Sequence, residues 1–97
     1  MKTIILIPIY NDRESLTKLI ENINSEIEGI NSEISVVVIN DASSQQIIDE
    51  YQNTENINSI KIINMKENRG HARCIASGLK YIFEKKEFDY VIPMDGD

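Results

Sequence analysis

An α/β fold is predicted, with a mostly parallel sheet and helices on both of its faces, three layers in all. Three features of the sequence predict it. Four short apolar runs, at residues 3–9, 34–39, 60–64 and 90–94, are distributed along the chain. The segments that follow the first and third runs carry apolar residues at helical spacing, and a shorter apolar face follows the second. The turns that follow the strands are polar and rich in acids, whereas the turns that precede them are ordinary solvated connections. Strands alternating with helices build βαβ units, which stack strands in parallel and cover the sheet on both sides.

The first run is dominated by β-branched isoleucine, as suits a strand buried on both faces. Pro8 cannot donate to a ladder and helps to end it. Tyr10, Asn11 and Asp12 form a polar turn, from which Asn11 with Glu14, or Asp12 alone, caps a helix. Leu16, Leu19, Ile20, Ile23 and Ile27 make its apolar face, and Gly29 is its expected terminator. The second strand stops at Asn40-Asp41-Ala42-Ser43-Ser44, where Ser43 or Ser44 caps a short helix carrying Ile47, Ile48 and Tyr51. Residues 53–58 read as a polar loop. The third strand leads to Asn68-Arg69-Gly70-His71 and a helix with Ala72, Ile75, Ala76, Leu79, Ile82 and Phe83 on one face. Its small residues, Gly70, Ala72, Ala76 and Gly78, are expected to let it lie close to a neighbour. Lys85 and Lys86 sit near its end, where cations suit the helix dipole. Pro93 conflicts with a central strand, so it is placed at the last turn of the fourth strand or at a bulge.

The chain has 97 residues, which allows one small domain. Its net charge is −6 with no Lys/Arg cluster, which argues against nucleic acid or an anionic membrane surface as partner. The lone Cys74 excludes an internal disulfide and suits a reducing compartment; among small and apolar neighbours it reads as a buried, inert thiol. The expected location is cytoplasmic. No segment is long enough to span a bilayer.

In a parallel sheet the turns after the strands share one edge, and ligands bind outside that edge where the strand order reverses. Asp95-Gly96-Asp97 follows the fourth strand there. Two carboxylates one glycine apart are oxygen ligands of the kind Mg²⁺ and Mn²⁺ prefer, and Gly96 lets a phosphate approach the backbone.

Four motifs in order carry a resemblance. Pro8-Ile9-Tyr10-Asn11-Asp12 resembles the opening motif of family 2 glycosyltransferases, which have the Rossmann-like GT-A fold. Val38-Ile39-Asn40-Asp41-Ala42-Ser43 is similar to their second motif, with Asn40 in place of the commoner first acid. Asn68-Arg69-Gly70 with Arg73, Ala76 and Gly78 resembles their Asn-x-Gly helix start. Asp95-Gly96-Asp97 falls where their Asp-x-Asp motif falls.

The resemblance implies that residues 1–97 are the nucleotide-sugar-binding part of such a domain, the N-terminal half of a GT-A fold. The acceptor half and the catalytic base would lie beyond Asp97. No catalytic residue is then expected in this chain, and no turnover. The implied donor is a nucleoside-diphosphate sugar of the UDP, GDP or dTDP type, and the implied reaction is metal-dependent transfer to an acceptor hydroxyl with inversion. Asp41 would accept a hydrogen bond from the base. Pro8 and Tyr10 would shape the nucleoside pocket, with Asn11 and Asp12 beside them. Gly70 would admit the nucleoside to the backbone, and Arg73 would reach the base or a phosphate. Asp95 would contact the ribose or reach the metal, Mg²⁺ or Mn²⁺, which Asp97 would ligate directly. The parent protein would reach a membrane only through segments outside this chain.

Two other readings compete. A non-catalytic doubly wound binding or signalling module of the receiver type needs an Asp after the third strand, where Asn64 stands, and would take up phosphate from a small phosphodonor. A sugar nucleotidyltransferase needs a Gly-rich basic loop where Tyr10-Asn11-Asp12-Arg13 stands. A bare fourth-strand edge would also invite self-association. Dimers or larger species are expected in light scattering at high concentration, and a clean monomer contradicts this.

Overall fold

The structure, a computed structural model, describes residues 1–10, 13–41, 54–65, 70–85 and 87–94. Its elements run β1 (Lys2–Ile9), α1 (Arg13–Glu26), β2 (Glu33–Asn40), β3 (Ser59–Asn64), α2 (His71–Lys85) and β4 (Tyr90–Pro93). The helix expected from Ser43 to Tyr51, the caps at Asn11 and Asp12, and Lys86 lie outside the described residues.

All the strand pairs are parallel, in the order β3-β2-β1-β4. β1 pairs with β2 from Lys2–Glu33 to Ile9–Asn40, but with β4 only from Thr3–Tyr90 to Leu6–Pro93. The chain steps outward from β1 to β3 and then returns to the other side of β1. The strand order therefore reverses between β1 and β4.

Burial on both faces follows from the alternation of side chains in the two inner strands. Ile5, Ile7, Ile9, Val36 and Val38 face α1 and bury Leu16, Ile20 and Ile23. Ile4, Leu6, Val37 and Ile39 face α2 and bury Cys74 and Ile82. The two helices lie on opposite faces because their crossovers step in opposite directions along the sheet. Crossovers of the same hand demand that arrangement. The predicted three-layer α/β architecture is thus the observed one.

Both prolines find places where no N–H is needed. The Ile9 carbonyl accepts from Asp41 N at 2.9 Å, so Ile9 points its polar groups at β2 and Pro8 points the other way. On that side the pairing with β4 has already ended at Leu6. Pro8 is therefore tolerated inside β1, and the strand runs one residue past it. Met94 N donates to the Leu6 carbonyl at 2.8 Å, which turns Pro93 away from β1 toward the outer edge. No bulge is required.

α1 has the predicted apolar stripe, and Gly29 adopts φ +82° beyond it. α2 departs from expectation. Its buried line is Cys74, Gly78 and Ile82, whereas Ala72 and Ala76 are exposed and Phe83 is 68% exposed. The cause is the close seat of the helix at Gly78. A Cβ there would stand 2.5 Å from Leu6 Cδ1 and 3.0 Å from Ile39 Cγ1. The axis settles over the smallest residue, so the predicted Ile75 and Leu79 pack half-buried at the flanks of that line, while Ala72, Ala76 and Phe83 turn outward. Phe83 packs edge-on against Phe88 instead, with ring centroids 5.1 Å apart.

The polar loop before β3 is anchored more firmly than its composition suggests. Ile57 is buried against the α1-side core. Asn56 N donates to Asn24 Oδ1 at 2.7 Å, and Asn56 Nδ2 to the Asn24 carbonyl at 2.9 Å. Asn24 can be buried on α1 because its amide satisfies the loop backbone. At the outer strand β4, Tyr90 is 56% and Ile92 46% exposed, on the sheet face that Met94 shares with α1.

Candidate functional site

The carboxyl ends of the strands present Tyr10 after β1, Asp41 after β2, Met65 after β3 and Met94 after β4. Of these positions Asp41 carries the charge, and it is only 4% exposed. Its backbone is fixed on both sides: its N–H donates to the Ile9 carbonyl, and the preceding Asn40 carbonyl accepts from Met65 N at 2.8 Å. Asn40 itself is buried, and its Nδ2 donates to Asn64 Oδ1 at 2.9 Å. An amide at position 40, where the similar motif more commonly carries its first acid, thus ties β2 to β3 across the rim.

The Asp41 carboxylate meets the start of α2. Gly70 N donates to Asp41 Oδ2 at 3.0 Å, and the Gly70 carbonyl accepts from Cys74 N at 3.1 Å. Gly70 is therefore the N-cap of α2. It holds φ +84°, a left-handed conformation that favours glycine, with open space where a side chain would stand. A carboxylate beside this helix start is favoured both by the hydrogen bond and by the positive end of the helix dipole. One turn further on lies the buried Cys74 thiol. Burial first, and then the Asp41 carboxylate, push the thiol pKa up to about 11. Cys74 is consequently a thiol, and a donor, throughout the neutral range.

The predicted site residues separate as follows. Asp41 and Gly70 are brought into direct contact. Pro8 is buried in β1, and Tyr10, 48% exposed, follows the residue whose carbonyl holds Asp41. Arg73 lies on the exposed side of α2 beside Cys74. Asn11, Asp12, Asp95, Gly96 and Asp97 lie outside the described residues, so the span from Asp41 to Asp97 is not defined. Among the described residues no group of three or more His, Cys, Asp or Glu gathers as a metal would require. Cys74 is buried, as its small and apolar neighbours in the sequence led one to expect.

A groove of about 280 Å³ opens at the opposite, amino edge, lined by Lys2, Ser35, Lys61 and Lys85 among others. Lys2 there is paired with Glu87 at 3.1 Å. This groove lies at the far end of the sheet from Asp41. No helix among the described residues is long and apolar enough to cross a membrane.

Comparison with known proteins agrees with the fold. A crystal structure of TarS from S. aureus superposes with a TM-score of 0.70 at 28% identity, over 100% of this chain and 28% of that one. Uncharacterized protein MJ0544 of Methanocaldococcus jannaschii is 26% identical over 97% of this chain and 39% of its own length. The chain thus spans well under half of either relative. The family model described as "Glycosyl transferase family 2" matches residues 4–97, nearly the whole chain, and the chain belongs to that family.

Proposed function

We propose that this chain forms the donor-nucleotide end of a glycosyltransferase that moves a sugar from a nucleoside diphosphate to an acceptor hydroxyl. The observation that carries the proposal is the Asp41 carboxylate, buried at the carboxyl edge of the sheet beside the end of β1 and held by the start of α2. An acceptor in that place suits a base that offers a ring N–H: uracil, thymine or guanine. It opposes cytosine, whose matching atom is itself an acceptor. Tyr10, exposed at the reversal point between β1 and β4, is placed to pack on the base or ribose. Pro8 shapes the same corner, and Asn11 and Asp12, next in the sequence, are assigned to the same pocket. Gly70 leaves the backbone open to the nucleoside, and Arg73 supplies a cation for the base or a phosphate.

Asp95 and Asp97 form a donor set of carboxylate oxygens, suited to Mg²⁺ or Mn²⁺, with Gly96 admitting the diphosphate. When bound there, such a cation neutralises the charge that grows on the departing nucleoside diphosphate. Sugar transfer with inversion further needs a carboxylate beyond Asp97 to take the acceptor proton. The 97-residue chain is therefore expected to bind a donor nucleotide without turning it over.

Calorimetric titration of the 97-residue chain with UDP, GDP and CDP, with and without Mn²⁺, tests this reading. UDP or GDP should bind more tightly than CDP by about tenfold, roughly 1.4 kcal/mol, and more weakly once Mn²⁺ is removed. Equal affinity for all three nucleotides, or no heat from a folded sample, counts against it.

A further inference from the structure

The peptide that leads into Asp41 is held from both sides. The Asn40 carbonyl accepts from Met65 N at 2.8 Å, just past β3, and Asp41 N donates to the Ile9 carbonyl at 2.9 Å, at the end of β1. A peptide is planar, so these two bonds set how its plane is turned. That turn sets the direction in which the Asp41 side chain leaves the backbone. The anchor on β1 belongs to an inner strand, whereas β3 is an outer one, whose end opens more easily. A side-chain bond closes that end. Asn40 Nδ2 donates to Asn64 Oδ1 at 2.9 Å, in the last register pair of β2 and β3. Asn40 is 5% exposed, so its amide bonds where water scarcely competes. The same strand end leads, five residues after Met65, to Gly70, whose N–H reaches Asp41 Oδ2 at 3.0 Å. We infer that Asn64 is a positioning residue, whose side-chain oxygen holds Asn40 and, through the peptide between Asn40 and Asp41, aims the Asp41 carboxylate at the nucleobase. The inference rests on the reading of Asp41 as the base-binding group.

A bond between two strands also adds stability. The decisive measurement must therefore respond to the aim of the carboxylate and not to the firmness of the sheet. The ratio of UDP to CDP affinity does so. A loosened sheet weakens both nucleotides alike, whereas a misaimed carboxylate loses only the preference for a ring N–H. The opposite end of β3 supplies a control, since Asn58 Nδ2 donates there to Ser35 Oγ at 3.4 Å.

The experiment titrates UDP and CDP with Mn²⁺ into the 97-residue chain and its Asn64→Leu, Asn64→Asp, Asn58→Ala and Asp41→Asn variants. Thermal melts verify that each variant is folded. Asn64→Leu, which removes the acceptor, should lower the ratio about threefold, the worth of a modest hydrogen bond. Asn64→Asp keeps an oxygen in reach of Asn40 Nδ2 and should hold the ratio within about twofold of the parent, because its added charge repels both nucleotides equally. Asn58→Ala should leave the ratio unchanged. An unchanged ratio in Asn64→Leu, beside a collapsed ratio in Asp41→Asn, overturns the role of Asn64 and leaves the base-binding role of Asp41 standing. A ratio lowered as much by Asn64→Asp or by Asn58→Ala also overturns it, since the loss would not follow the acceptor. No preference for UDP in the parent chain removes the base-binding role, and this inference falls with it. Should Asn64→Leu fail to fold, amide hydrogen exchange in the parent chain decides. The Met65 N–H should be protected as strongly as the inner pairs of β2 and β3, and an unprotected Met65 N–H overturns the inference.

Discussion

Gly78→Val is expected to destabilise the chain by about 3 kcal/mol or more, a large part of the roughly 5–15 kcal/mol that holds a domain together. The branched side chain must enter where even one carbon would stand 2.5 Å from Leu6 Cδ1 and 3.0 Å from Ile39 Cγ1. Leu6 and Ile39 are themselves enclosed, so neither can swing into solvent. They would have to push on the α1-side core through the sheet, or α2 would have to lift. Lifting α2 would move Gly70 away from Asp41. Gly78→Ala tests the same seat more gently. Alanine gains about 1 kcal/mol as a helix former, against about 1–3 kcal/mol of overpacking, for a net loss on the order of 1 kcal/mol. Pairing it with Leu6→Val, which withdraws the clashing methyl, should recover much of the combined loss. Urea denaturation followed by circular dichroism measures all three. A Gly78→Ala variant more stable than the parent would show that α2 does not rest on Gly78.

The same glycine marks where reading the sequence stopped. The strand cores were legible because Ile4 to Ile7 and Val36 to Ile39 are unbroken β-branched or leucine runs, and such runs suit few places other than the middle of a sheet. α1 was legible because one stripe carries nearly all its large apolar residues. α2 offers apolar residues on more than one side, and periodicity cannot choose among them. The choice was made by backbone approach at Gly78, a three-dimensional fact. Ile57 was hidden in a run of Asn and Glu, where one apolar residue among polar ones carries no period. The link from Asn24 to Asn56 joins residues 32 positions apart, and that from Asp41 to Gly70 spans 29. No local pattern foretells either. The site was foreseen as a set of corners along one rim. Which atoms in those corners meet had to come from packing.

Asp41→Ala should combine a loss of stability with a loss of base preference, and Asp41→Asn should separate the two. Alanine leaves the Gly70 N–H without the carboxylate that accepts from it at the start of α2. Losing a charged acceptor for a helix-start N–H costs about 1–3 kcal/mol. Asparagine keeps an oxygen in reach of Gly70 and so should retain most of that stability. It gives up the negative charge that complements both the α2 dipole and a ring N–H. It also introduces an N–H₂ group, which can pair with the acceptor nitrogen of cytosine. The expected pattern is therefore a melting temperature near that of the parent for Asp41→Asn and a clearly lower one for Asp41→Ala. Both variants should bind UDP about tenfold more weakly, roughly 1.4 kcal/mol, and only Asp41→Asn should gain affinity for CDP. If Asp41→Asn bound UDP as the parent does, the carboxylate would be a helix anchor alone. If Asp41→Ala melted with the parent, Gly70 would not depend on it.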